Sequence, residues 1–433
     1  MLVFNITNFI LIVISTIIAI YISLAIKNKP LKILSIFVLS GFFFYSGVGL
    51  FIYQIENDTS FTIQYCLCAI TFSITLFLCQ KQNKTHILKK RNIDESYIKA
   101  NNYLFTKIFS FVYVLTFIFP LIYPINRIAD IFNPLALIEK YSSVHSYTVV
   151  NLKSDNTYFI VTNFVRTLCM PYFYIYLYSI REKHMKVIII YILLSYLNAL
   201  NLYYISRNEI IVLIAFIFIY LYLEKILSPK LLILLFFVSV PSLIIMLNVL
   251  KYVRSSQSYN TNFIISLGNV FLSETNFVLN YNRASYLSKD ISLLKYYTYV
   301  LTCFIPSFIR SKIGIYPINL QEIHSTTMLK LDYGKNNFYI ILTSVLGEGI
   351  MVFNKYFSWI YMIFFAIILN WYIERINRNE SMLFLLCYFL LDVLRNMRGG
   401  SQFIFSSWGS SFVPLLIISY LFRQIIVKKY KKE

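Results

Sequence analysis

Along this chain long apolar stretches alternate with short polar or charged clusters. Crossing a hydrocarbon core of about 30 Å takes about 20 apolar residues at 1.5 Å per residue. Windows of that kind fall at 4–26, 33–53, 61–80, 103–123, 158–180, 186–204, 209–224, 231–250, 356–373, 380–394 and 402–422. The pattern predicts an all-α polytopic integral membrane protein with 11 transmembrane helices, within a range of about ten to thirteen. The strict apolar-polar alternation of a membrane β-barrel is missing from these windows. The first window has no basic segment before it and no small-residue cleavage site after it, so it reads as a retained helix.

Lysines and arginines in the short connections set the orientation. The connections at 27–32, 81–102, 181–186, 225–230, 374–380 and 423–433 carry 21, and the alternate set at 54–60, 124–157, 205–208 and 395–401 carries 6. The first set is therefore cytoplasmic, which puts the N-terminus outside and the C-terminus inside. Residues 251–355 form one long extracytoplasmic loop within a single polytopic domain spanning 1–433. The loop has two apolar segments. The first, 296–309, is too short to span and contains Pro306, which suits an interfacial or re-entrant helix. The second, 337–353, reads as a partial entry into the membrane, or as one of a pair of extra spans with the first.

Composition agrees with this picture and removes other classes. Of 433 residues, 58% are hydrophobic and only 13% charged, with a mean hydropathy of +0.66, which excludes a disordered or ordinary soluble chain. The net charge of +20 records topology and contact with an anionic inner leaflet, and nucleic acid is not an expected partner. Six cysteines sit mostly in apolar runs without a CxxC pair or a Cys/His cluster. They read as small packing residues, with neither a disulfide framework nor a zinc site.

Charge at membrane depth is where chemistry is expected, because an arginine there costs several kcal/mol, of order 3 on lenient scales. Arg166 sits roughly 12 Å below the outer end of its helix at 1.5 Å per residue. It is either a functional cation or an arginine paired with a carboxylate to hold the bundle together. Arg207 lies in the short outer turn SRNE, either as a snorkelling anchor or as a ligand-binding group. Arg395 and Arg398, in LRNMRGGS, project from one helix face at an outer end, before a Gly399-Gly400 pair. Outer arginines run against the orientation rule, and a clamp for a phosphate or pyrophosphate explains them physically: a guanidinium binds such oxyanions bidentately and stays charged. Arg310 and Lys312 add a cation pair after the 296–309 segment. Glu348, between Gly347 and Gly349, is the only carboxylate in its apolar stretch, and suits either a general base or an ion-pair strut. His145 and His324 are isolated outer histidines.

This constellation resembles the oligosaccharide repeat-unit polymerases of bacterial surface polysaccharides, the Wzy-type polymerases of O-antigen and capsule. The resemblance covers about residues 160–422. It rests on a large outer loop late in the chain, on an arginine opening an apolar helix after a short outer turn (SRNEIIVLIAFIFIYLYLEK, 206–225), on an IP…K segment (305–312), on an LGE…F segment (346–353), and on arginines before the last helix (395–408). Members of that family often continue the acidic segment into Asn-Phe-Gly, where this chain has Val352, Phe353 and Asn354. Asparagine tolerates a left-handed backbone almost as glycine does, which would preserve the turn.

The resemblance implies a C-type membrane glycosyltransferase of the bacterial plasma (inner) membrane that uses undecaprenyl-diphosphate-linked oligosaccharides, with no metal and no cofactor. Partners would be those lipids, the surrounding membrane and a polysaccharide chain-length regulator. Arg207, Arg395 and Arg398 would hold the diphosphate, Arg166, Arg310 and Lys312 would support substrate binding, and Glu348 would activate the acceptor hydroxyl. Competing readings are a metal-dependent glycosyltransferase using Glu56 and Asp58, a lipid-linked oligosaccharide flippase, and a membrane O-acyltransferase. The long outer loop speaks against the flippase, and the expected lack of a histidine buried in a helix speaks against the acyltransferase.

Overall fold

The computed structural model describes residues 3–53, 59–82, 95–123, 128–133, 157–202, 292–302, 312–315, 320–330 and 344–377, with scattered positions at 213–226, 305, 310 and 389–399. Apart from a two-residue strand pair, the described elements are helices. Four are long and apolar enough to cross a membrane: Ile6–Leu24, Lys29–Phe51, Thr59–Gln80 and His184–Asn201. The bent pair Ser344–Phe353 and Ser358–Glu374 adds a fifth if it counts as one span. The four coincide with the windows expected at 4–26, 33–53, 61–80 and 186–204. Helices also occupy the windows at 103–123 and 158–180. The expected spans at 231–250 and 402–422 lie outside the described residues, as do half of 209–224 and most of 380–394.

The chain packs as two compact units. The first comprises Met1–Lys89, Asn260–Arg378 and Phe389–Ser407. It opens with strand β1 (Val3–Phe4), which pairs antiparallel with β2 (Ile52–Tyr53), so that the start of helix α1 (Ile6–Leu24) meets the end of helix α2 (Lys29–Phe51). Asn5 caps α1 by accepting the Asn8 N–H at 3.0 Å, and Asn8 Nδ2 donates to the Leu50 carbonyl at 3.0 Å. Phe4, Phe9 and Phe51 close this end with ring centroids 5.2–5.9 Å apart. Asn28 and Pro30 start α2 with a side-chain cap and a residue that has no N–H to leave unsatisfied.

The burial pattern of α1 is the reverse of a soluble helix. Its buried face carries Asn8, Ser15, Thr16, Ala19 and Ser23 around a single large apolar residue, Ile12, while Ile10, Ile14, Ile17 and Tyr21 are exposed. In water that arrangement would cost about 1.5–3 kcal/mol for each large side chain left outside. In lipid, small and polar residues go to the helix interface and apolar ones face the acyl chains. The inward polar groups are used: Thr16 Oγ1 and Tyr65 Oη, on helix α3 (Thr59–Gln82), lie 2.9 Å apart, and Ser23 donates to Ser73 at 3.2 Å. Gly47 lets α2 into this contact, because a Cβ there would lie 3.2 Å from Ile12 and 3.3 Å from Tyr65. Gly47 ends a π-helical turn, Phe43–Gly47, inside α2.

The second unit comprises Lys90–Tyr259, Asn379–Tyr388 and Trp408–Glu433. Its described helices are α4 (Glu95–Ile122), α5 (Thr157–Ser179) and α6 (His184–Leu202), with a short 3-10 turn at Ile128–Phe132. Leu121, Ala199 and Leu200 form a buried cluster there, flanked by Ile131, Tyr196 and Leu197. Tyr191 stacks on Phe216 at 3.6 Å, and His184 Nδ1 shares a 2.7 Å hydrogen bond with the Tyr220 hydroxyl.

Candidate functional site

Glu348 lies in the first unit on α9 (Ser344–Phe353), the helix that follows α7 (Leu293–Leu301) and α8 (Leu320–Leu329). Ten residues make α9 about 15 Å long, half of what a span needs. It turns by 114° into α10 (Ser358–Asn377). Asn354 makes this elbow with φ 72°, the left-handed conformation required of it where glycine is common. Gly349 permits the close fold-back, since a Cβ there would sit 3.1 Å from the Ser358 carbonyl. Ser358 in turn donates to Gln64 Oε1 of α3 at 2.9 Å, which ties the start of α10 to α3.

Within this elbow Glu348 is 1% exposed, and both carboxylate oxygens accept hydrogen bonds from tyrosines. Tyr296 of α7 donates to Oε1, and Tyr361 of α10 donates to Oε2 at 3.2 Å. Two hydroxyl donors compensate part of the desolvation that burial imposes on a carboxylate. Tyr297, next on α7, has a buried hydroxyl with no hydrogen-bond partner among the described residues. Burial pushes this phenol up to about 12, so it stays protonated and keeps a hydrogen to donate. His324 on α8 is fully buried in the same unit, which corrects the expectation that no histidine is buried in a helix.

Arg166 serves a backbone carbonyl rather than a carboxylate among the described residues. Pro120 stands inside α4, and a proline has no N–H for the carbonyl four residues earlier, here Thr116. Arg166 fills that gap from α5: Nη2 donates to the Thr116 carbonyl at 2.5 Å and Nε to Thr116 Oγ1 at 3.3 Å. Its guanidinium also lies 3.9 Å from the centroid of the Phe117 ring. Among the described residues no carboxylate pairs with it. The next carbonyl, Phe117, accepts a 2.7 Å bond from Asn201 Nδ2 of α6, so two helices donate to adjacent carbonyls of α4.

The other candidates are placed only in part. Arg398 is half-buried in the helical turn 396–399, Arg310 is half-buried, and Lys312 is exposed. These three share the first unit with Glu348, whereas Arg166 belongs to the second. Arg207 and Arg395 lie outside the described residues, as do Glu56, Asp58 and His145. No group of three or more His, Cys, Asp or Glu residues suited to hold a metal ion occurs among the described residues.

Sequence reasoning missed Tyr296, Tyr361, Gln64 and Ser358 around Glu348, and Pro120 and Asn201 around Arg166. Only the proline carried a usable signal, because a proline inside an apolar window announces an unsatisfied carbonyl. In comparisons with known proteins, the chain matches no protein family, no curated protein and no solved structure. What is established is a helical protein with several helices fit to cross a membrane, and a buried glutamate at a helix elbow.

Proposed function

We propose that this chain is a metal-independent membrane glycosyltransferase that polymerises undecaprenyl-diphosphate-linked oligosaccharide repeat units into O-antigen or capsular polysaccharide at the outer face of the bacterial plasma membrane. The observation that carries the reading is Glu348: a carboxylate 1% exposed on a half-length helix, in the stretch that charge parity places outside. A carboxylate in such a setting is a functional candidate by default.

In the proposed reaction the acceptor sugar hydroxyl gives its proton to Glu348, and its oxygen bonds to the anomeric carbon of the growing chain. The bond from that carbon to the diphosphate oxygen breaks, and undecaprenyl diphosphate leaves with the electron pair. Arg207, Arg395 and Arg398 hold the leaving diphosphate where negative charge develops, with Arg310 and Lys312 supporting. A chain-length regulator is the proposed protein partner.

Deleting the gene in its native host and resolving the surface polysaccharide by length tests this directly. Collapse of the ladder to core plus one repeat unit supports polymerisation, because units are still made, exported and attached. Loss of every surface unit, with lipid-linked units accumulating inside, overturns it in favour of a flippase.

A further inference from the structure

We infer that α7 is a lid over Glu348, latched by Tyr296, whose hydroxyl occupies the place of the incoming acceptor hydroxyl. With Glu348 1% exposed and a tyrosine on each oxygen, no substrate group reaches the carboxylate while α7 is seated. One of the two donors must leave. Tyr361 belongs to the 20-residue α10, which is tied to α3 through Ser358 and Gln64. Tyr296 belongs to a nine-residue helix whose Leu294 is 79% exposed, and a helix that short has little stability of its own.

The seated lid also carries an uncompensated polar group. The Tyr297 hydroxyl is buried without a partner among the described residues, and its only described aromatic neighbours besides Tyr296 are rings such as Phe353, 6.5 Å away. A buried donor left unsatisfied weakens the state that buries it, so this hydroxyl favours opening. Opening exchanges one hydroxyl on Glu348 Oε1 for another, the tyrosine's for the substrate's. The lid stands on these contacts alone, whereas identifying the incoming hydroxyl as a sugar's rests on the polymerase reading.

The test is hydrogen exchange of the α7 backbone amides in the full-length protein in detergent. Tyr297→Phe removes the orphaned hydroxyl and slows α7 exchange about fivefold or more. Tyr296→Phe removes the latch and speeds it. Exchange that is unchanged or faster in Tyr297→Phe, or unchanged in Tyr296→Phe, overturns the lid. Because both variants keep the ring, unchanged exchange of the α1 and α3 amides shows that each is folded, and carbodiimide labelling of Glu348, read by peptide mass spectrometry, falls in Tyr297→Phe and rises in Tyr296→Phe. Equal labelling in both variants also overturns the lid. Adding a lipid-linked repeat unit to the wild-type protein speeds α7 exchange, and undecaprenyl phosphate alone does not. If the variants respond as expected and the repeat unit has no effect, the sugar assignment falls and the lid stands.

Discussion

Replacing Arg166 by Met removes the cap from the Thr116 carbonyl and tests whether this arginine is a staple or a ligand. The loss comprises a charge-assisted hydrogen bond, about 1.5–3 kcal/mol, and a cation–π contact of about 0.5–2 kcal/mol. Removing a desolvated charge offsets part of this. A net destabilisation of about 2–3 kcal/mol is expected, or roughly 5–10 °C in the unfolding midpoint of a unit this size. The partner substitution is Pro120→Ala. It restores an N–H at 120 that can donate to Thr116, so the double variant regains most of the midpoint that Arg166→Met alone loses. The assay is thermal unfolding of all four combinations in detergent, read as a double-mutant cycle. Equal shifts from Pro120→Ala in both backgrounds would refute the carbonyl-capping argument. The polysaccharide ladder of the double variant then decides function: a full ladder confines Arg166 to stapling, and a stable protein that makes no polymer returns it to the substrate.

Glu348→Gln keeps the shape but replaces one acceptor oxygen by an NH2 donor that faces a tyrosine hydroxyl, so polymer should be lost while protein remains in the membrane; a normal ladder would remove Glu348 from the chemistry. Gly349→Ala forces a Cβ to 3.1 Å from the Ser358 carbonyl and should lower the unfolding midpoint by an overpacking cost of about 1–3 kcal/mol, with an unshifted midpoint refuting the close approach at the elbow. Arg207→Lys keeps the charge and removes the bidentate fork, so polymer length should fall without loss of protein, and unimpaired length would sink its place on the diphosphate.

Helix positions were legible because hydrocarbon thickness acts on composition over about 20 residues at a time. The windows at 4–26, 33–53, 61–80 and 186–204 needed nothing else. Interiors were not legible, because the groups that satisfy a buried polar atom come from distant positions. Glu348 meets Tyr296, 52 residues away, and Ser358 meets Gln64, 294 residues away. In a chain with 37 tyrosines, no single tyrosine stands out as a partner. The elbow was half visible: Asn354 could be read as a left-handed residue, but the 114° turn it makes depends on Gly349 and Ser358 packing together.

The two units use their inward polar side chains differently, and this bears on which charges are functional. A helix broken inside a membrane exposes backbone groups that lipid cannot satisfy, so another helix must supply a donor or acceptor. At Pro120 the donors are Arg166 and Asn201, and they are spent on the Thr116 and Phe117 carbonyls. At the α9–α10 elbow the Phe357 N–H donates to the Asn354 carbonyl at 3.3 Å, and Ser358 Oγ donates to the Gln64 side chain at 2.9 Å. An arginine committed to a carbonyl has a structural task in the fold. The hydroxyls that Tyr296 and Tyr361 donate to Glu348 are groups that a substrate hydroxyl can replace, and that difference makes Glu348 the stronger candidate for chemistry.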